Sequence, residues 1–142
     1  MAGVVSSGRL GEIASADLAA LAAFADRLGE PCGEWAGGEK LGENSFLMPW
    51  FDHSPMMTGF IGAACERGLV VPFDWPEWMG QGGDRLVHAP PEAMADYSLE
   101  DVQRVVTAIL RADRFSEGAL ASAFEDGRMP ALIRRLAALA GA

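Results

Sequence analysis

Two helical stripes separated by a six-residue break dominate the C-terminal third of this chain. Leu99, Val102, Val105, Val106, Ile109 and Leu110 recur at helical spacing. They follow Ser98-Leu99-Glu100-Asp101, a helix start with Ser as cap and an acid three residues on. This pattern predicts a helix over 99–112. The break is Asp113-Arg114-Phe115-Ser116-Glu117-Gly118. Gly and packed charge interrupt the regular Ala and Leu spacing there, so the segment marks a specific joint. A helix with one apolar stripe must bury it against another element, and this joint decides how the rest folds back.

Beyond the joint, a shorter helix from about 116 to 125 buries Leu120 and Phe124 and stops at Gly127. Pro130 opens a last helix, with Leu132, Ile133, Leu136 and Leu139 inward and Arg134 and Arg135 outward. Upstream, Ser54-Pro55 is another helix start, with Met57, Phe60, Ile61 and Ala64 as its buried face and Gly68 as its end. Leu18, Leu21, Ala22, Ala25 and Leu28 define a first helix over 16–28 behind Ser15. Residues 1–14 have no helical period and read as a flexible tail.

Between these helices the character changes. Segments 34–36 and 45–49 pair as a short hairpin, with the turn near Glu39 to Glu43. The plainer alternative is an ordered loop pinned by Trp35 and Trp50. Leu69-Val70-Val71 runs extended into Pro72, and residues 80–91, rich in Gly and Pro, read as loop. The expected fold is mainly α: a compact single-domain bundle of about five helices over residues 15–142, with at most a small β-hairpin.

Composition narrows the function classes. At 142 residues, 50% apolar and 22% charged, the chain fits one globular domain. No apolar run approaches the ~20 residues of a membrane span. Met1-Ala2-Gly3 fits neither a secretory signal nor a myristoylation site. Cys32 and Cys65 are widely separated and read as reduced thiols of a cytoplasmic protein. No C-x-x-C or paired His suggests a metal, so no metal site is expected. The Gly-rich stretches near 37–42 and 80–83 match no phosphate or dinucleotide fingerprint, so no cofactor is expected either. The net charge is −9, and residues 1–97 hold 14 acids against 5 bases, while residues 98–142 hold 6 of each. Nucleic-acid binding by a basic face is therefore disfavoured, and an acidic face serves solubility or a basic partner.

Four residues could carry site chemistry. Asp74 and Glu77 bracket Trp75-Pro76 and could divide acid and base work, although capping or solvent exposure explains them more simply. Arg114 and Glu117 stand three apart, the spacing of an ion pair that holds the corner. Alternatively, Arg114 reaches a carboxylate or phosphate ligand with its planar fork. Ser116 reads as a cap rather than a nucleophile, and Asp52-His53-Ser54 is a triad only as letters. Trp35, Trp50, Trp75 and Trp78 are either core filling or a partner surface.

Several of these segments carry a resemblance. Trp35-Ala36-Gly37-Gly38, Met48-Pro49, Phe60 to Leu69 and the run from Leu99 through Arg114-Phe115-Ser116-Glu117-Gly118, Gly127 and Ile133-Arg134-Arg135-Leu136 resemble an uncharacterised bacterial family of unknown function. The most specific part is the Arg-Phe-x-Glu-Gly corner. The resemblance spans about residues 30–140 and implies a compact, mostly helical domain. It also implies that a catalytic thiol at the Ser116 position is not essential, since members often carry Cys there. It brings no activity, substrate or cofactor. The chain is therefore expected to be a small acidic interaction or accessory module with a protein partner. The alternative is an anion-binding protein or small enzyme built on Asp74, Glu77, Arg114 and Glu117.

Overall fold

The computed structural model describes residues 9–141. Helix α1 (Ser15–Ala22) continues as a 3-10 turn over Ala23–Arg27. Strands β1 (Gly33–Ala36) and β2 (Trp50–His53) pair antiparallel. Helices α2 (Pro55–Glu66), α3 (Trp75–Trp78) and α4 (Asp84–Val87) follow. A 3-10 turn over Pro91–Asp96 leads into α5 (Leu99–Phe115), α6 (Ala119–Glu125) and α7 (Arg128–Ala140). Helix makes up 61% of the structure, which fixes the class as mainly α with one small hairpin. No helix among the described residues is long and apolar enough to cross a membrane.

The spine is α5. Ser98 Oγ accepts the Asp101 amide at 3.1 Å, and Glu100 and Asp101 place negative charge at the helix start. Val102, Val105, Val106 and Ile109 are buried in its apolar stripe. Two buried polar side chains, Gln103 and Thr107, stand one turn apart on the same helix. A buried amide or hydroxyl must be hydrogen-bonded, and both are. Gln103 Nε2 donates to the carbonyls of Arg9 (3.0 Å) and Gly68 (2.9 Å), and its Oε1 accepts from Gly11 N at 2.6 Å. Thr107 Oγ1 accepts from Val71 N at 3.0 Å. These bonds stitch two non-helical segments to the spine.

The other core elements arise as locally. Ser54 Oγ accepts from Met57 N at 3.2 Å and Pro55 occupies the first turn of α2. Phe60 of α2 lies edge-on between Phe24 and Phe124, with centroid distances of 5.5 and 5.9 Å. Helix α7 buries Met129, Leu132, Ile133 and Leu136 against α1, α5, α6 and the Pro91–Asp96 turn. Arg135 Nε donates to Tyr97 O at 2.7 Å, so this arginine reaches inward as well as out.

Several boundaries differ from expectation. The described residues hold seven helices rather than about five. The two extra ones are short: α3, and α4 inside the stretch read as loop over 80–91. Gln81 and Gly82, the latter at φ 108°, leave helical geometry and kink the backbone between these two helices. The hairpin pairs Gly33 with His53 and Ala36 with Trp50, so its second strand is 50–53 rather than 45–49. Backbone bonds from Leu47 N to Glu39 O and from Leu41 N to Ser45 O carry the two chains onward to a tight tip. Helix α1 begins at Ser15 with Ala14 as its cap residue, and turns 3-10 after Ala22. Helix α5 runs past 112 to Phe115, and Ser116 closes it as C-cap instead of opening the next helix. Helix α7 starts at Arg128, two residues before Pro130. The tail expected over 1–14 falls largely outside the described residues; from Arg9 onward the chain is bonded to Gln103.

Candidate functional site

The hairpin stands on the α5–α6 corner. Antiparallel partners point to the same face, so Trp35, Phe51 and His53 share one side of the ladder. That side faces the corner. Glu117 Oε2 accepts from Phe51 N at 3.0 Å. Gly118, in the left-handed region at φ 89°, lies beneath the Trp35 indole: a Cβ there would sit 2.6 Å from Trp35 Cζ2. Trp35 meets Phe51 edge-on at 5.5 Å. Asp113 Oδ1 accepts from Leu120 N at 3.0 Å, and Oδ2 lies 3.9 Å from His53 Nε2. The Asp113–Gly118 segment is thus a socket that seats the base of the hairpin.

The expected Arg114–Glu117 ion pair does not form. Ser116 is extended (φ −139°, ψ 97°), so residues 114 and 117 do not share a helical face. Glu117 turns to the hairpin backbone. Arg114 points away, exposed, with no hydrogen bond or ion pair to any described residue.

Arg114 instead lines a cavity of about 520 Å³ with Ile61, Cys65, Trp75, Arg111 and Phe115. A second cavity of about 240 Å³ lies across Trp75, Arg111 and Phe115 from it, walled by Met79, Val87, Ala108, Ile109 and Ala112. Phe115 stands at their shared rim, 89% exposed. Arg111 also makes no hydrogen bond or ion pair with a described residue. The other basic side chains here are engaged: Arg128 binds Asp126 and Val87 O, and His88 Nε2 lies 3.5 Å from Asp84 Oδ1.

Asp74 and Glu77 do not join Arg114 and Glu117 in one cluster. Asp74 caps α3 by accepting from Glu77 N at 3.2 Å, and Glu77 Oε1 accepts from Gln81 Nε2 at 3.2 Å. Both are exposed. The four tryptophans divide three ways. Trp35 and Trp50 belong to the hairpin, Trp75 to the cavity rim, and Trp78 packs inward on Phe73 and Gly83. Cys32 packs against the core, and burial, then the charge of Glu125, push its thiol above the ordinary cysteine value. That is the reverse of an activated nucleophile. Among the described residues no group of three His, Cys, Asp or Glu could hold a metal.

Sequence reasoning missed three exposed apolar residues near the hairpin tip, Leu41, Phe46 and Met48. Their signal was legible: large apolar side chains among Gly, Glu and Asn with no period that could bury them. It also missed Arg111, whose spacing gave no hint of a missing partner.

The architecture is that of a small helical domain with a socketed β-arm and an arginine-rimmed apolar cavity. The chain belongs to a family of unknown function, DUF6508, which matches residues 13–142. No curated protein and no solved structure matches it.

Proposed function

We propose that this chain is a protein-interaction module whose docking element is the hairpin arm, residues 33–53. One observation carries the reading. Five large apolar side chains stand exposed on this arm: Trp35 (54%), Leu41 (63%), Phe46 (57%), Met48 (71%) and Trp50 (43%). Concentrated apolar exposure on one projecting element marks a contact surface, and Trp is a favoured anchor in such contacts.

The partner is a protein whose apolar surface is rimmed by Lys and Arg. Glu34 and Asp52 are directly opposed across the ladder, a like-charge pair that costs the hairpin stability. Neither has a cation bonded to it among the described residues. Glu39 and Glu43 extend the acidic rim toward the tip, against the single base Lys40. A basic rim relieves this repulsion, whereas a second copy of the arm adds to it.

The test is site-specific photo-crosslinking from position 46, in the cells that make the protein. A discrete heterologous adduct is expected, weakened by salt and abolished by Leu41→Ser/Phe46→Ser/Met48→Ser. That variant should keep the parent melting temperature, because none of its side chains is buried. Only self-adducts, or adducts that persist in the variant, overturn the proposal.

A further inference from the structure

We infer that the cavity between α3, α4, α5 and α6 is a binding site for a small amphipathic carboxylate, an aryl or short alkyl body carrying one anionic head. The inference is independent of the hairpin arm. It rests on the pairing of an apolar hole with an unused arginine at its mouth.

The hole itself has the size for an apolar body. Its volume of about 240 Å³ exceeds the ~150 Å³ of an engineered apolar cavity that accepts benzene. Val87 and Ile109 form buried wall and Met79, Ala108, Ala112 and Ala119 add apolar lining, with Ser122 and the engaged His88 and Arg128 beside them. Trp75 and Phe115 form an aromatic rim that is open to solvent. Leaving Phe115 89% exposed gains nothing for folding, but an apolar ligand laid against it would cover the ring.

The head group follows from charge. The chain carries −9 in total, yet Arg111, an arginine without a partner, stands at this rim, and a second, Arg114, lines the adjoining cavity. Arg111 lines both cavities and Arg114 lines the larger one. The one carboxylate lining the larger cavity, that of Asp113, is already held by Leu120 N and faces His53. A guanidinium fork beside an apolar wall matches a carboxylate on an apolar stem. A cationic ligand would meet like charge, and a neutral one would leave the fork unused.

The probe is 4-phenylbutyrate, with 4-phenylbutanol and inorganic phosphate as controls. Binding is read from the indole N–H signal of Trp75 in nitrogen–proton correlation spectra. A saturable shift of Trp75 with phenylbutyrate, with the Trp35 and Trp50 signals still, is expected. Arg111→Gln should weaken it at least about tenfold while leaving the melting curve unchanged. Ala112→Trp, which plugs the mouth from an exposed helix position, should abolish it. No saturable shift at millimolar probe overturns the site. Equal binding of the alcohol overturns the role of Arg111, and equal binding of phosphate overturns the apolar half of the inference.

Discussion

Replacing Gly118 with Ala tests the socket where its tolerance is least. Gly118 has φ 89°, and holding an L-residue in the left-handed region costs about 1–2 kcal/mol. The new Cβ would also stand 2.6 and 3.0 Å from two atoms of the rigid Trp35 indole, so the ring must move. Moving it breaks the edge-on contact with Phe51, worth about 0.5–1.5 kcal/mol. The sum is about 1.5–3.5 kcal/mol, or a fall of roughly 5–14 °C in melting temperature for a domain of this size. Chemical unfolding followed by circular dichroism gives the cost directly. The same substitution in a Trp35→Ala background retains only the backbone part, so the two changes should couple by about 1 kcal/mol. A total cost below about 1 kcal/mol, or identical costs in both backgrounds, would refute the idea that the indole seats on the glycine.

Glu117→Ala should cost about 1 kcal/mol through loss of the Phe51 amide bond, while Arg114→Ala, whose side chain bonds to nothing described, should stay within about 0.5 kcal/mol. Thermal melts that reverse this order would restore the helical ion pair. Gln103→Ala leaves the Arg9 and Gly68 carbonyls and the Gly11 amide without their partner, and should cost about 2–3 kcal/mol. Amide exchange at Gly11 should accelerate in that variant; unchanged exchange would mean that the amide does not anchor the segment. For Cys32, burial and Glu125 favour the neutral thiol, so the thiolate fraction at any given pH is below that of a free thiol. Iodoacetamide should therefore modify Cys32 more slowly than a small reference thiol, measured in a Cys65→Ser background. Faster modification would contradict the assigned environment.

What the sequence made legible was what is local. The stripes of α2, α5 and α7 and the caps at Ser54 and Ser98 depend on neighbours within two helical turns, so periodicity finds them. The hairpin register did not follow from alternation, because it is set by Trp35 and Phe51 meeting a corner more than sixty residues away. Helix α4 was hidden by Gly80, Gly82 and Gly83, which lower helix propensity but are tolerated where Trp78 packs over Gly83. The ion pair expected at Arg114 and Glu117 needed helical spacing across the corner, and the extended Ser116 removes that premise. The cavity was least accessible of all. It needs Trp75, Arg111 and Phe115 to converge from separate elements, and an arginine's lack of a partner is written nowhere in its spacing.

The anchorage of the arm divides the chain's sequence freedom in two. Trp35 over Gly118 and Phe51 bonded to Glu117 hold the ladder at its base, and the backbone bonds beyond run between the arm's own two chains. Residues 38–48 can accordingly be rewritten, lengthened or exchanged for another turn without disturbing a helix. Change in these positions leaves the socket contacts in place, whereas change at Trp35, Phe51, Glu117 or Gly118 breaks them. Members of one family could therefore diverge at the tip while keeping the corner, and a designer could graft a foreign recognition loop onto the same two fixed points.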